Sequence, residues 1–276
     1  MTKQFPALLL LASLLSVFTA CDKDDPIDEP ELNLPQYHLK SIEWNNGLKG
    51  AFVYNADSSL QRIDYTYRNV AGSTEYGWQG NKLVEMYDDR SSYKNVFEYD
   101  AGGKVVRMIN REKVPTSDRH YTFDFIYNSS GKLDSLRYSI TNEAGTSVKT
   151  LSRYYYNSAG ELEKVITKQG NNEITHTIDS WSPLVSFEPA NYLDPSLVEN
   201  YPVYNLALVL QLHKIKKLPA KVTRIVQLGA DPSFVDKIEE HVYTVTDYRI
   251  EKVASTTRYP QMPDYTVHLD AVYHYY

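Results

Sequence analysis

The sequence predicts an all-β fold, a large curved antiparallel meander of repeated hairpins able to close into a barrel. Three observations point to it. One short phrase, an aromatic pair followed by a turn and a β-prone run, recurs five times between Phe52 and Lys168. In its three clean copies the turn opens on Asp or Asn and has Gly three residues later, the chemistry of a tight hairpin turn. The chain also carries 24 Tyr, 8 Phe and 3 Trp, residue types that favour strands. An irregular segment or one short helix is expected around 180–215.

The clean copies are Phe97-Glu98-Tyr99-Asp100-Ala101-Gly102-Gly103-Lys104-Val105, Phe125-Ile126-Tyr127-Asn128-Ser129-Ser130-Gly131-Lys132-Leu133 and Tyr154-Tyr155-Tyr156-Asn157-Ser158-Ala159-Gly160-Glu161-Leu162. Looser copies begin at Phe52 and Tyr76; the first has Ser58 in place of Gly, and the second is one residue shorter around Gly80-Asn81, which suits a two-residue turn. Aromatics two apart on a strand point to one face. Phe52/Tyr54, Tyr76/Trp78, Phe97/Tyr99, Phe125/Tyr127 and Tyr154/Tyr156 are therefore five same-face pairs. Length varies only between units, as in 111–119 and 142–146. Fixed turns at one end and variable loops at the other describe a meander.

At the N-terminus, Lys3 followed by the apolar run Phe5–Ala20 reads as a secretion signal, too short for a spanning helix. Phe18-Thr19-Ala20-Cys21 resembles a bacterial lipobox, with Phe18 where leucine usually stands. Cys21, the single cysteine, is then the lipidation site; a free thiol or a metal ligand is the alternative, and no intramolecular disulfide can form. Residues 22–35 are acidic and Pro-rich and predict a disordered tether. The acidic run after the cysteine resembles the surface-export signal of Bacteroidota lipoproteins, and a solvated spacer is the plainer reading.

Residues 36–276 are expected to form a single antiparallel β domain, with the hairpin repeats at 52–168. Tyr37–Trp44, a turn at Asn45-Asn46-Gly47, and Ala51–Tyr54 make the first hairpin. Gln169–Asn172 is another turn, leading into Glu173–Ile178. From Asp179, prolines 183, 189, 195 and 202 interrupt regular structure. Val203–Lys214 fits a short helix slightly better than a buried strand. Strands resume at Ala220–Gln227 and Lys237–Thr246. Tyr248–Val253 is a decayed second half of the repeat, and Tyr265–Tyr275 is the last strand.

Few of these residues suggest chemistry. The net charge is −6 and no long basic run exists, so nucleic acid is not an expected partner. No zinc, calcium, phosphate-loop, dinucleotide or nucleophile-elbow motif is present, and no catalytic residue, metal ligand or cofactor is assigned. His268, Asp270 and His274 share a strand face, read as polar surface rather than a metal site. Asp88-Asp89 and Glu239-Glu240 read as solvated charges. Most tyrosines are expected in packing, with Trp44, Trp78 and Trp181 as candidate ligand-stacking aromatics. Asp134-Ser135-Leu136 matches a short O-glycosylation pattern of Bacteroidota exported proteins, which makes Ser135 a candidate acceptor.

The phrase Tyr-Asn/Asp-x-x-Gly-Lys/Glu-Leu/Val is similar to the tyrosine–aspartate (YD, Rhs-type) repeats that build β-shells. With the lipobox and the segment Leu218-Pro219-Ala220-Lys221-Val222-Thr223, the chain also resembles a family of uncharacterised Bacteroidota lipoproteins with a domain described as porin-like. That resemblance implies a curved or barrel-like sheet and no activity. A membrane-spanning barrel is not expected, because Leu133–Tyr138 and Glu161–Val165 lack an apolar band at alternate positions.

The expected function is a lipid-anchored binding or interaction module of the cell envelope, with a glycan or a protein as partner and the membrane met through the anchor. It would be an outer-membrane lipoprotein, cell-surface exposed, with a periplasm-facing placement as the alternative. A hydrolase of polysaccharide or peptidoglycan would need a carboxylate pair in a cleft. A carrier of a lipid-like ligand would need an apolar, unplugged lumen.

Overall fold

A computed structural model describes residues 34–35, 37–114, 118–186 and 217–276. Among these residues there are sixteen strands: β1 (Leu39–Trp44), β2 (Lys49–Tyr54), β3 (Leu60–Tyr67), β4 (Val70–Gln79), β5 (Lys82–Asp88), β6 (Tyr93–Tyr99), β7 (Val105–Glu112), β8 (His120–Tyr127), β9 (Leu133–Asn142), β10 (Gly145–Tyr156), β11 (Leu162–Gln169), β12 (Asn172–Trp181), β13 (Pro219–Gln227), β14 (Phe234–Thr246), β15 (Arg249–Arg258) and β16 (Thr266–Tyr275). Each pairs antiparallel with its neighbours in sequence, and β1 pairs with β16, so the meander closes into a barrel. The signal, Cys21, the tether as far as residue 33, and the expected helix at 203–214 lie outside the described residues. Leu34–Tyr276 is one compact unit.

The repeat turns fold as their residues require. Gly103, Gly131 and Gly160 have φ of +83°, +77° and +77°, in the left-handed region, and Ser58 takes the same position at +68°. The opening Asp100, Asn128 and Asn157 each accept a backbone N–H four residues on, at 2.9 Å. Gln79 pairs with Lys82 around Gly80-Asn81, the expected two-residue turn.

The second aromatic of the repeat has a defined task. On the inner face of the repeat-turn end, the ladder between consecutive units stops short. β7 and β8 pair only as far as Arg107–Asp124. The Val105 carbonyl beyond that point accepts the Tyr127 hydroxyl at 2.7 Å. The same bond recurs as Tyr99 to Leu83 (2.7 Å), Tyr156 to Leu133 (2.8 Å), Tyr243 to Pro219 (2.9 Å) and Tyr275 to Ile250 (2.8 Å). Trp78 does it with its indole N–H, to Leu60 at 2.7 Å. Each bond satisfies a carbonyl the sheet leaves unpaired.

Lysines stitch the same end together. Lys104 Nζ lies 5.2 Å from the Tyr127 ring centre and donates to the Gly131 carbonyl at 3.2 Å. Lys132 repeats this with Tyr156 (5.3 Å) and Gly160 (3.0 Å). Where the last unit has Glu161 instead of Lys, Lys217 reaches in to pair with it at 2.7 Å.

Strand alternation sorts the side chains. The buried set points inward in two apolar clusters, one from β1–β3, β15 and β16 with Val185 and Leu218, the other from β6–β13. Ile42, Phe52, Ile63, Met108, Leu133 and Leu136 have essentially no contact with water. The outward set is polar, with ion pairs such as Arg62–Asp64 (2.9 Å), Lys94–Glu85 (2.9 Å), Arg107–Asp124 (2.7 Å) and Arg258–Glu240 (2.7 Å).

Candidate functional site

The inner face changes character on β12–β16. One transverse row of mostly polar side chains, and a second row with Glu239 and Thr257 among apolar residues, interrupt the apolar lining there. Register defines the first row: His176 lies opposite Arg224, and Arg224 opposite Lys237. The neighbouring pairs Ile238–Arg258 and Arg258–Thr266 extend it to Tyr259 and Tyr265. The second row runs Ile178, Val222, Glu239, Thr257, Val267.

These rows hold charge where water is excluded. Lys237 and Glu239 are both completely buried and pair at 2.9 Å. Two residues apart on a strand, they share the inner face and reach each other without any rearrangement of the sheet. Glu239 is thus not the solvated charge that its sequence context suggested: alternation on β14 turns Lys237, Glu239 and His241 inward. Arg224 pairs with Asp236 at 2.7 Å, helped by a bulge opposite Ile225 that brings Asp236 round. Deeper, His241 Nδ1 meets Ser255 Oγ at 2.8 Å.

His176 is the exception. It is 1% exposed, and neither ring nitrogen has a hydrogen-bond partner; nor does Arg224 Nε. Burial pushes the imidazole down to about 3, and the positive charges of Arg224 and Lys237 add to this, so the ring is neutral.

Solvent reaches the inner face at the end away from the repeat turns. On β16 the inward residues open steadily: Tyr273 is 6% exposed, Leu269 half-buried, Val267 37%, and Tyr265 just beyond the strand 54%. Tyr265 and Tyr259 pack their rings 5.4 Å apart at 38°. Burial raises the Tyr259 hydroxyl above its ordinary value, and the negative charge of Glu239 adds to this. Elsewhere at this end Tyr93, Tyr121 and Tyr138 form a second aromatic run, with centres 6.0 and 6.3 Å apart.

The residues singled out from sequence are dispersed. Trp44 is buried in the first apolar cluster, Trp78 is half-buried and bonded to Leu60, and Trp181 packs against the second cluster. Ser135 is buried on β9, on the face opposite Leu136. Asp88 accepts the Tyr65 hydroxyl inside the barrel, while Asp89 is exposed. His268 bonds Thr256 at 3.2 Å on the outer face it shares with Asp270 and His274. Among the described residues no three groups are placed to hold a metal ion.

A concavity of about 550 Å³ lies across the outer faces of β1–β4, lined by Glu43, Lys49, Asp64 and Ser73. Its Lys49–Glu43 pair is more than half solvated at the lysine, so no buried polar group is left to orient a ligand there.

No protein-family model matches the chain, and no curated protein does. Among solved structures, the chain is similar to a porin-like protein from Bacteroides uniformis ATCC 8492, at 12% identity and a TM-score of 0.59, over 88% of this chain and 98% of the other. It is also similar to a porin-like protein from Bacteroides vulgatus ATCC 8482, at 10% identity and a TM-score of 0.54, over 87% and 99%. At such identities the likeness speaks for the fold, not for a shared role. What these comparisons place on this chain is therefore an architecture: a closed all-β barrel of the kind found in those porin-like proteins.

Proposed function

We propose that the protein is a lipid-anchored binding module of the cell envelope whose barrel stands in water beside the membrane. The observation that carries this is the sorting of the two barrel faces. A barrel in a bilayer turns an apolar band outward and keeps a polar lumen. Here the order is reversed, with Ile42, Phe52, Ile63 and Met108 inside and ion pairs around the outside. A charged side chain facing the bilayer midplane costs about 2–4 kcal/mol. Several around the circumference would oppose insertion by an amount comparable to a domain's whole stability, about 5–15 kcal/mol.

Cys21 supplies the membrane contact as a lipidated residue of an outer-membrane lipoprotein exposed at the cell surface. The chain enters the barrel at Leu39, at the repeat-turn end, where the inner face is apolar. The opposite end, open to water at its tyrosine rim with the polar row buried behind it, is the binding end. The role is recognition rather than turnover. Labelling of the expressing cells with radioactive palmitate tests the anchor: label should appear in the wild type and vanish in Cys21→Ala. Label retained by that variant contradicts the anchor, and protease removal of the domain from intact cells checks its exposure.

A further inference from the structure

We propose that the polar row on β12–β16 is a saccharide-binding site, with the Tyr259–Tyr265 ring pair as its platform and Arg224 and His176 as its inner hydrogen-bonding groups. This rests on the reading of the open end as the binding end, and it names the ligand class.

The buried groups define what would satisfy them. A neutral imidazole offers one N–H donor and one lone-pair acceptor, and the Arg224 Nε–H is a further donor. An inorganic anion would answer the donors only. A hydroxyl answers both kinds, and a saccharide carries hydroxyls in number. The charges agree, because Arg224 is already paired with Asp236 and Lys237 with Glu239, so the row holds no net charge to draw in a metal ion or an anion. Leaving a buried polar group unpaired costs about 1–3 kcal/mol. Other buried atoms lack a partner singly, as Thr150 Oγ1 and Tyr154 OH do; here both nitrogens of one ring and the Arg224 Nε come together in one row, and that concentration points to binding.

The rim supplies the other half of sugar recognition. Tyr265, 54% exposed, presents an apolar ring with a polar tip, packed at a tilt against Tyr259 at 5.4 Å. Met262 and Leu228 add exposed apolar surface on the adjacent loops. From His176 to Tyr265 the row crosses four inter-strand steps, about 19 Å. That suits a short oligosaccharide, with one ring stacked at the rim and hydroxyls running inward.

The full chain should be screened against immobilised neutral and acidic oligosaccharides of several units. Saturable binding is expected, weakened tenfold or more by Tyr265→Ala and by His176→Leu, and unchanged by Tyr248→Ala, whose exposed ring lies at the other end. Binding that survives Tyr265→Ala, or that no oligosaccharide shows, overturns the proposal. Tyr265 is half exposed, so that variant decides the matter even if the buried His176→Leu fails to fold. A negative result leaves the water-facing, anchored barrel standing, since conductance and palmitate labelling decide that separately.

Discussion

The Tyr127 hydroxyl donates to the Val105 carbonyl at 2.7 Å, just past the point where β7 and β8 stop pairing. The repeat thus couples neighbouring hairpins through a side chain at the place where the backbone ladder has run out. Tyr127→Phe removes the donor and leaves a buried carbonyl unpaired, so a loss of about 1–3 kcal/mol is expected. Tyr155→Phe, on the exposed outer face, should change stability by less than about 0.5 kcal/mol. Urea unfolding of the two variants checks the difference.

Burial pushes Tyr127, Tyr156 and Tyr275 up to about 12, above the unfolded value near 10. Stability from these protonated hydroxyls is therefore complete below pH 10 and lost as pH rises through about 12. Phenolate absorbance of the native protein should lag that of the urea-unfolded chain over this window. Coincident titrations would mean that the rings are not held as described.

His176 gives the acid side. Its folded value, about 3, lies below the unfolded 6.5, so between these the unfolded chain binds a proton that the folded one does not. Its contribution is neutral above pH 6.5 and destabilises the fold progressively as pH falls toward 3. His176→Leu should flatten the fall in melting temperature between pH 6.5 and 4, and an unchanged slope would remove His176 as its cause.

The Lys237–Glu239 pair is a test of the buried row. Lys237→Met leaves Glu239 charged and unpaired in the interior, at an expected cost of about 3–5 kcal/mol. Adding Glu239→Leu should recover most of that loss. A double variant no more stable than the single one would show that the two side chains do not act as a pair.

Much of the fold was legible because the repeat writes it locally. Aromatic spacing placed each pair on one face, which the structure turns inward, and Asn or Asp with Gly marked the turns. The capping bonds of Tyr243 and Tyr275 were harder to see, because Tyr243 precedes and Ile250, the acceptor of Tyr275, follows a turn at Asp247-Tyr248, both at positive φ, without a glycine to mark it. Closure through β1 and β16 joins residues from the two ends of the domain, and no local pattern encodes such a partner.

The site was barely legible. His176, Arg224 and Lys237 come from three strands and Tyr259 from just past the end of a fourth, and they meet only through register. The one available signal was β14, where Lys237, Glu239 and His241 alternate with Ile238, Glu240 and Val242. With charges on both faces, that pattern leaves the inward side undecided until neighbouring strands choose it. Tryptophans drew attention as ligand contacts because of their size, yet Trp78 stands in for the repeat's second tyrosine.

The most direct measurement is conductance of the full chain added to planar lipid bilayers. With charged side chains outside and an apolar core inside, no channel steps should appear at any voltage, and the protein should remain at the bilayer surface. Stable, stepwise openings would contradict a water-facing barrel and show that the strands can cross the membrane after all.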